Sequence, residues 1–247
     1  MTKLQLKTEL AIVLALSLGA SAMYSLVSLI AKATAPEGLA AQTTSLNGSL
    51  ARAEWLDLTY QLLGVFLGLA PVALVLYLIW RDGLNPFKKL GLNFENPKLW
   101  ALGGVGLAAV IGIPGIGLYV LARLLELSSK VVPANLPDYW WAVPVLLLAA
   151  IRAALFEEVI VVGYLFKRMD DLQVRPNTQI LLSALLRGSY HLYQGIGGFV
   201  GNLIMGLVFG WAYRRWGRIM PLVVAHFILD AVSFVGFALV GKSLQLP

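Results

Sequence analysis

The sequence predicts an all-α fold: a polytopic bundle of about seven transmembrane helices, forming one domain over residues 1–247. Three observations carry this. Of the 247 residues, 59% are hydrophobic and 13% charged, about half the charged share of an ordinary soluble domain, and the mean hydropathy is +0.78. Apolar runs of about 20 residues, the length that crosses a bilayer, recur between short polar loops. Lysine and arginine gather in alternate loops, as they do when those loops share the cytoplasmic side. The absence of cysteine excludes disulfides, thiolate metal ligands and a cysteine nucleophile. The net charge of +6 sits beside the apolar runs. It is therefore assigned to topology and membrane lipids, with no nucleic acid as partner.

The first expected span is 10–31. Lys3 and Lys7 before it and Ala33-Thr34-Ala35 after it resemble a signal peptide. The run is longer than the roughly 7–15 residues of a signal core, and Pro36 follows the would-be cut, so an uncleaved span is expected. A polar loop, 33–54, leads to span two, 55–80, where Pro71 is expected to kink the helix. The basic loop 81–98 is broken by Gly83, Pro86, Gly91 and Pro97. Span three is 99–121. Tyr139-Trp140-Trp141 forms an interfacial aromatic belt ahead of span four, 142–166. Spans five, six and seven are 178–194, 199–213 and 219–240, with a glycine-rich turn between five and six. With the N-terminus inside, Lys3, Lys7, Arg81, Lys88, Lys89, Lys98, Lys167, Arg168, Arg175, Arg214, Arg215 and Arg218 are cytoplasmic. Lys32, Arg52, Arg123, Lys130 and Lys242 are then external, and Arg152 and Arg187 lie within spans. This asymmetry predicts a multi-pass cell-membrane protein with its N-terminus in the cytoplasm.

Span four contains two adjacent carboxylates, Glu157 and Glu158. Ionisable groups inside a span are costly, and they mark functional sites facing the bundle interior. Counted at ~1.5 Å per residue from the cytoplasmic side, they lie ~12–14 Å deep. His191 lies ~20 Å deep in span five, and His226 and Asp230 lie ~10–17 Å deep in span seven. The chain's two histidines and these carboxylates thus share one layer, nearer the cytoplasm, on three helices. His226 and Asp230 are four residues apart and share a face, as do Arg187 and His191. Such a set suits general-base activation of water with an oxyanion pocket. It also suits a divalent metal such as Zn, with Glu157, His191, His226 and Asp230 as ligands. A proton- or metal-coupled transporter would use the same residue types, but a single polar layer without sequence repeats argues against it.

At these residues the chain resembles the CAAX protease and bacteriocin-processing (CPBP, or Abi) family of intramembrane proteases. The family motifs are E-E-x-x-x-R, F-x-x-x-H and H-x-x-x-[N/D]. Glu157-Glu158-Val159-Ile160-Val161-Val162 matches the glutamates of the first, Arg187-Gly188-Ser189-Tyr190-His191 the histidine of the second, and His226-Phe227-Ile228-Leu229-Asp230 the third. The likeness covers about 152–233, and the catalytic core is expected over about 142–240. Two positions depart: the motif arginine is Val162 and the motif phenylalanine is Arg187. The paired departures predict that Arg187 has taken over the arginine's partner, Glu158.

The resemblance implies an intramembrane endopeptidase acting on a membrane-associated protein or peptide, prenylated or not. Glu157 would be the water-activating base with Glu158 in support, and His191 would position the water or the scissile carbonyl. His226 and Asp230 would form the oxyanion side. A catalytically silent member with an immunity or scaffold role is the alternative within the family.

Overall fold

The computed structural model describes residues 1–241; Lys242 and the end of the expected domain lie outside the described residues. The chain is helical nearly throughout. Its helices are α1 (Lys3–Ala15), α2 (Leu18–Thr34), α3 (Glu54–Gly68), α4 (Ala70–Arg81), α5 (Pro86–Leu90), α6 (Pro97–Leu124), α7 (Ala142–Glu157), α8 (Leu165–Asp171), α9 (Pro176–Ser189), α10 (Ile196–Trp216) and α11 (Met220–Gly236). A π-helical segment, Glu158–Tyr164, joins α7 to α8, and a second, Phe237–Gly241, follows α11.

Helical elements stand at each of the seven expected spans, but their regularity differs. Among the described residues, four helical runs are long and apolar enough to cross a membrane, or five if the bent pair α1–α2 is one span. That pair turns by 50° at Leu16 and Ser17, where the Ser17 hydroxyl donates back to Val13 O (2.6 Å). Such back-bonding competes with the helical ladder and bends it. α9 has 14 residues, only ~21 Å of helix against a hydrocarbon core of ~30 Å. The expected span five therefore ends early, at Ser189 instead of 194. The backbone then turns and re-enters as α10 through a short 3₁₀ segment, Leu192–Gln194. Pro71 stands just inside the start of α4; α3 and α4 meet at Leu69, where its missing N–H and its ring interrupt the ladder.

Two segments expected as plain loops form a parallel pair of strands: β1 (Thr43–Gly48) with β2 (Lys130–Asn135), Thr43 opposite Lys130. Side chains fasten this pair to the bundle. Lys32 from α2 donates to Thr44 Oγ1 of β1 and to Tyr193 O (2.7 Å), and the Thr44 hydroxyl in turn reaches Tyr193 O (3.3 Å).

The core is centred on the π segment. Val159, Ile160, Val161, Val162 and Tyr164 are all fully buried and pack with Ile79 of α4, Leu90 of α5, Phe209 of α10 and Leu222 of α11. The π turn lies inside this packed core, and such turns are frequent at functional sites.

At one end of the bundle Arg168 of α8 is fully buried among anions. It pairs with Glu9 of α1 (2.6 Å) and with Asp82 after α4, while Tyr164 Oη donates to Glu9 Oε1 (2.8 Å). Burial alone would raise the Asp82 pKa, but the hydrogen bond and charge of Arg168 hold it below the ordinary 3.8. A carboxyl depressed on folding contributes stability above its unfolded pKa and loses it as pH falls through the folded one. Thermal unfolding in detergent should therefore show an Asp82-dependent loss of stability only below about pH 4, absent from Asp82→Asn. Arg168→Leu should cost roughly 3 kcal/mol, the low end for breaking a buried pair, because the partner side chains keep 10% and 20% exposure.

Candidate active site

The expected site residues meet between α7, α9 and α11. Glu157 closes α7 and Glu158 opens the π segment. Their carboxylates and the His226 imidazole have ligand atoms within 4.8 Å of one another. Arg187, fully buried on α9, reaches both acids. Its Nη2 donates to Glu158 Oε1 (2.7 Å) and its Nη1 to Glu157 Oε2 (3.3 Å). The guanidinium stacks on the Phe209 ring at 5.5 Å and touches Met205 Sδ. It points into the bundle, away from lipid head groups. Two carboxylates side by side in an apolar interior need such a cation, because an unpaired buried charge is prohibitively costly.

The two acids differ. Glu158 is fully buried; its Oε1 accepts from Arg187 and from His226 Nδ1 (2.7 Å). Glu157 keeps 13% side-chain exposure, and its Oε2 accepts from Tyr190 Oη (2.7 Å) and Arg187. Among the described residues its Oε1 carries no hydrogen bond. Glu157 also lines an open groove of about 470 Å³ with His191, Tyr190, Arg152 and the hydroxyl face of α2, Ser21, Ser25 and Ser28.

His191 was expected inside a helix. It stands instead just beyond α9, in the turn after Tyr190. The reason is tertiary: Ser25 Oγ of α2 donates to Tyr190 O (2.8 Å), so a carbonyl leaving the ladder finds a partner. The His191 ring stays in register because Nδ1 donates to Arg187 O (3.0 Å). The proton on Nδ1 leaves Nε2 as the lone-pair atom. On α11, His226 is buried, with Nδ1 committed to Glu158 and Nε2 3.6 Å from Asp230 Oδ2. Asp230, four residues on, is therefore a neighbour of the imidazole and not of the glutamates' shared edge.

A resident metal was one expected arrangement, and the donor set tests it. Two carboxylates and an imidazole are sound ligands for a Zn-like ion. Here, however, His226 turns an N–H towards Glu158, and Arg187 already supplies positive charge to both carboxylates. His191 and Asp230, both expected as ligands, lie outside the convergent group of Glu157, Glu158 and His226. Glu157, Glu158 and His226 thus have the convergence that would hold a divalent ion, whereas the charge of Arg187 on both carboxylates disfavours a second cation there.

Tyr190 was not singled out from the sequence, because the motif leaves its position open. An aromatic hydroxyl beside the only histidine of that segment was the available signal. Gly206 of α10 was also silent. A Cβ there would lie 2.7 Å from Ala184 Cα and 3.4 Å from Arg187 Cδ, so its absence lets α10 close on α9 and seat Arg187. Gly206→Val is expected to cost about 1–3 kcal/mol by overpacking, read as a lower melting temperature in detergent.

Residues 139–232 match the family model described as type II CAAX prenyl endopeptidase Rce1-like. The matched segment contains Glu157, Glu158, Arg187, His191, His226 and Asp230, and the match bears out the resemblance carried by the three motifs. No curated protein and no solved structure matches the chain.

Proposed function

We propose, from the match of residues 139–232 to the model of the Rce1-like CAAX prenyl endopeptidases, that this chain hydrolyses a peptide bond of a membrane-associated, prenylated substrate by glutamate-activated water. The inequality of the two acids carries the reading. Glu158 is fully buried, with its Oε1 held by Arg187 and His226, whereas Glu157 keeps 13% side-chain exposure and lines the groove, with its Oε2 held by Tyr190 and Arg187.

In this mechanism water sits between Glu157 Oε1 and His191 Nε2. Glu157 takes its proton as the oxygen attacks the scissile carbonyl carbon. The tetrahedral oxyanion faces His226 as an imidazolium, whose Nδ1–H is held by Glu158 and whose Nε2–H, beside Asp230, donates to the developing charge. The Glu157 proton then passes to the amide nitrogen as the C–N bond breaks, giving a carboxylate and an amine. Lysines and arginines at the helix ends favour a multi-pass cell-membrane protein with a cytoplasmic N-terminus and the site nearer the cytoplasm. A substrate held by a lipid anchor would then enter sideways from the bilayer.

The test is cleavage of prenylated and unprenylated peptides by the purified protein in detergent, with and without a chelator. Cleavage of a prenylated peptide, undiminished by chelator, is expected. Absence of cleavage across the panel, or cleavage retained by Glu157→Ala, would overturn the proposal.

A further inference from the structure

The turn that carries His191 is held by residues outside the matched segment. Between α9 and α10 the chain leaves the regular ladder, so the carbonyls of Tyr190, Tyr193 and Gln194 need partners elsewhere. Ser25 of α2 donates to Tyr190 O (2.8 Å). Ser129, just before β2, gives its N–H to Gln194 O (3.1 Å). Lys32, in the last turn of α2, donates to Tyr193 O (2.7 Å), and the Thr44 hydroxyl of β1 reaches the same oxygen (3.3 Å). All of these donors precede residue 139, where the family match begins. The close approach depends on Gly195. Its φ is +106°, and a Cβ there would lie 2.6 Å from Leu127 O, so glycine is what lets residues 127–129 lie against the turn.

Lys32 is the costly donor of this set. It is half-buried, and among the described residues it has no ion pair; its hydrogen bonds go to Thr44 Oγ1 and Tyr193 O. Drawing an ammonium out of water without a counter-ion is unfavourable, while a charge-assisted bond to a carbonyl is stronger than a neutral one. Tyr193 links that bond to the site. Its ring stacks on the His191 imidazole, with centroids 6.2 Å apart and planes at 23°, and Tyr190 flanks the imidazole at 4.7 Å. The bond from His191 Nδ1 to Arg187 O alone would let the ring rock about it. The flanking rings limit that motion, and their position is set by where the turn is held.

Resting on the peptidase reading above, we infer that Lys32 is a positioning residue for His191: from the end of α2 it holds the Tyr193 carbonyl, and Tyr193 backs the imidazole so that Nε2 faces the water. A tether that served stability alone would leave the imidazole unchanged in the folded chain.

The experiment follows the full chain, labelled with ¹³C,¹⁵N-histidine, by NMR in nanodiscs, beside cleavage of a prenylated peptide. The chain has two histidines, and the His191 signals are assigned by their loss in His191→Gln. In the wild type they should form one set with Nδ1 protonated. Lys32→Met keeps the stem and removes the donor. It should broaden or split the His191 signals, leave those of His226 in place, and lower kcat roughly 10- to 100-fold with KM little changed. Lys32→Arg should restore most of the rate. Thr44→Val, which removes the second donor to Tyr193 O, should act in the same direction to a smaller degree, and it carries the test if Lys32→Met does not fold. His191 signals identical to wild type in these variants would overturn the inference. So would a lower melting temperature with kcat and the His191 signals unchanged, which would assign Lys32 to stability alone. Cleavage by the wild-type chain with the same kcat in Lys32→Met removes only the positioning role. Altered His191 signals in Lys32→Met, without any cleavage by the wild-type chain, remove the peptidase reading and leave the Lys32–Tyr193–His191 link standing.

Discussion

Glu157→Gln should lower kcat/KM for peptide cleavage by roughly 10²–10⁴-fold, the range general-base catalysis supplies, while the melting temperature changes little. The amide keeps an oxygen for the Tyr190 hydroxyl, which now accounts for one of the two bonds at Glu157 Oε2, and it fills the same volume. It cannot take a proton from water. Glu158→Gln should behave differently. Glu158 is fully buried between Arg187 and His226, so neutralising it leaves a cation without its closest partner and should lower stability and activity together. The separation of the two effects, rate for Glu157 and stability with rate for Glu158, distinguishes a base from its support. Equal behaviour of the two variants would argue against the unequal roles.

Arg187→Phe, which restores the residue type of the family motif at this position, should destabilise the chain by about 3–5 kcal/mol, the cost of breaking a buried pair from one side, and abolish cleavage. Two carboxylates would then face each other without the guanidinium that now lies 2.7 and 3.3 Å from them. Arg187→Lys should rescue only in part, because one ammonium cannot reproduce a planar fork that serves two acceptors. Arg187→Met combined with Glu158→Gln should be more stable than Arg187→Met alone, since the two changes share one interaction. Chemical or thermal denaturation of the four proteins in detergent supplies the cycle. An Arg187→Phe chain with full stability and full activity would contradict the assignment of the guanidinium to the glutamate pair.

The sequence displays some of this architecture directly. Apolar runs mark the helices because a span must satisfy its backbone internally and be apolar over its length. Glu157, Glu158, His191, His226 and Asp230 stand out because ionisable groups inside such runs are rare. The exchange of Val162 and Arg187 against the family motifs pointed to the Arg187–Glu158 contact, which is present at 2.7 Å. Other features depend on partners distant in the chain. The β1–β2 pair joins residues 43–48 with residues 130–135, a register that no local pattern encodes. The π turn reflects how Val159–Val162 pack on all sides. The early end of α9 follows from a serine of α2 capturing the Tyr190 carbonyl, and it moves His191 out of the helix without removing it from the groove.

The central claim is that a water molecule activated by Glu157 attacks the scissile carbonyl. A single turnover of the purified protein in ¹⁸O-labelled water, with enzyme in excess over a prenylated peptide, tests this most directly by mass spectrometry of the newly formed carboxylate. The account predicts one ¹⁸O in that carboxylate at the first turnover, and no product from Glu157→Gln on the same time scale. An unlabelled carboxylate in the first turnover would mean that the new oxygen came from the protein through a covalent acyl intermediate, and would contradict it.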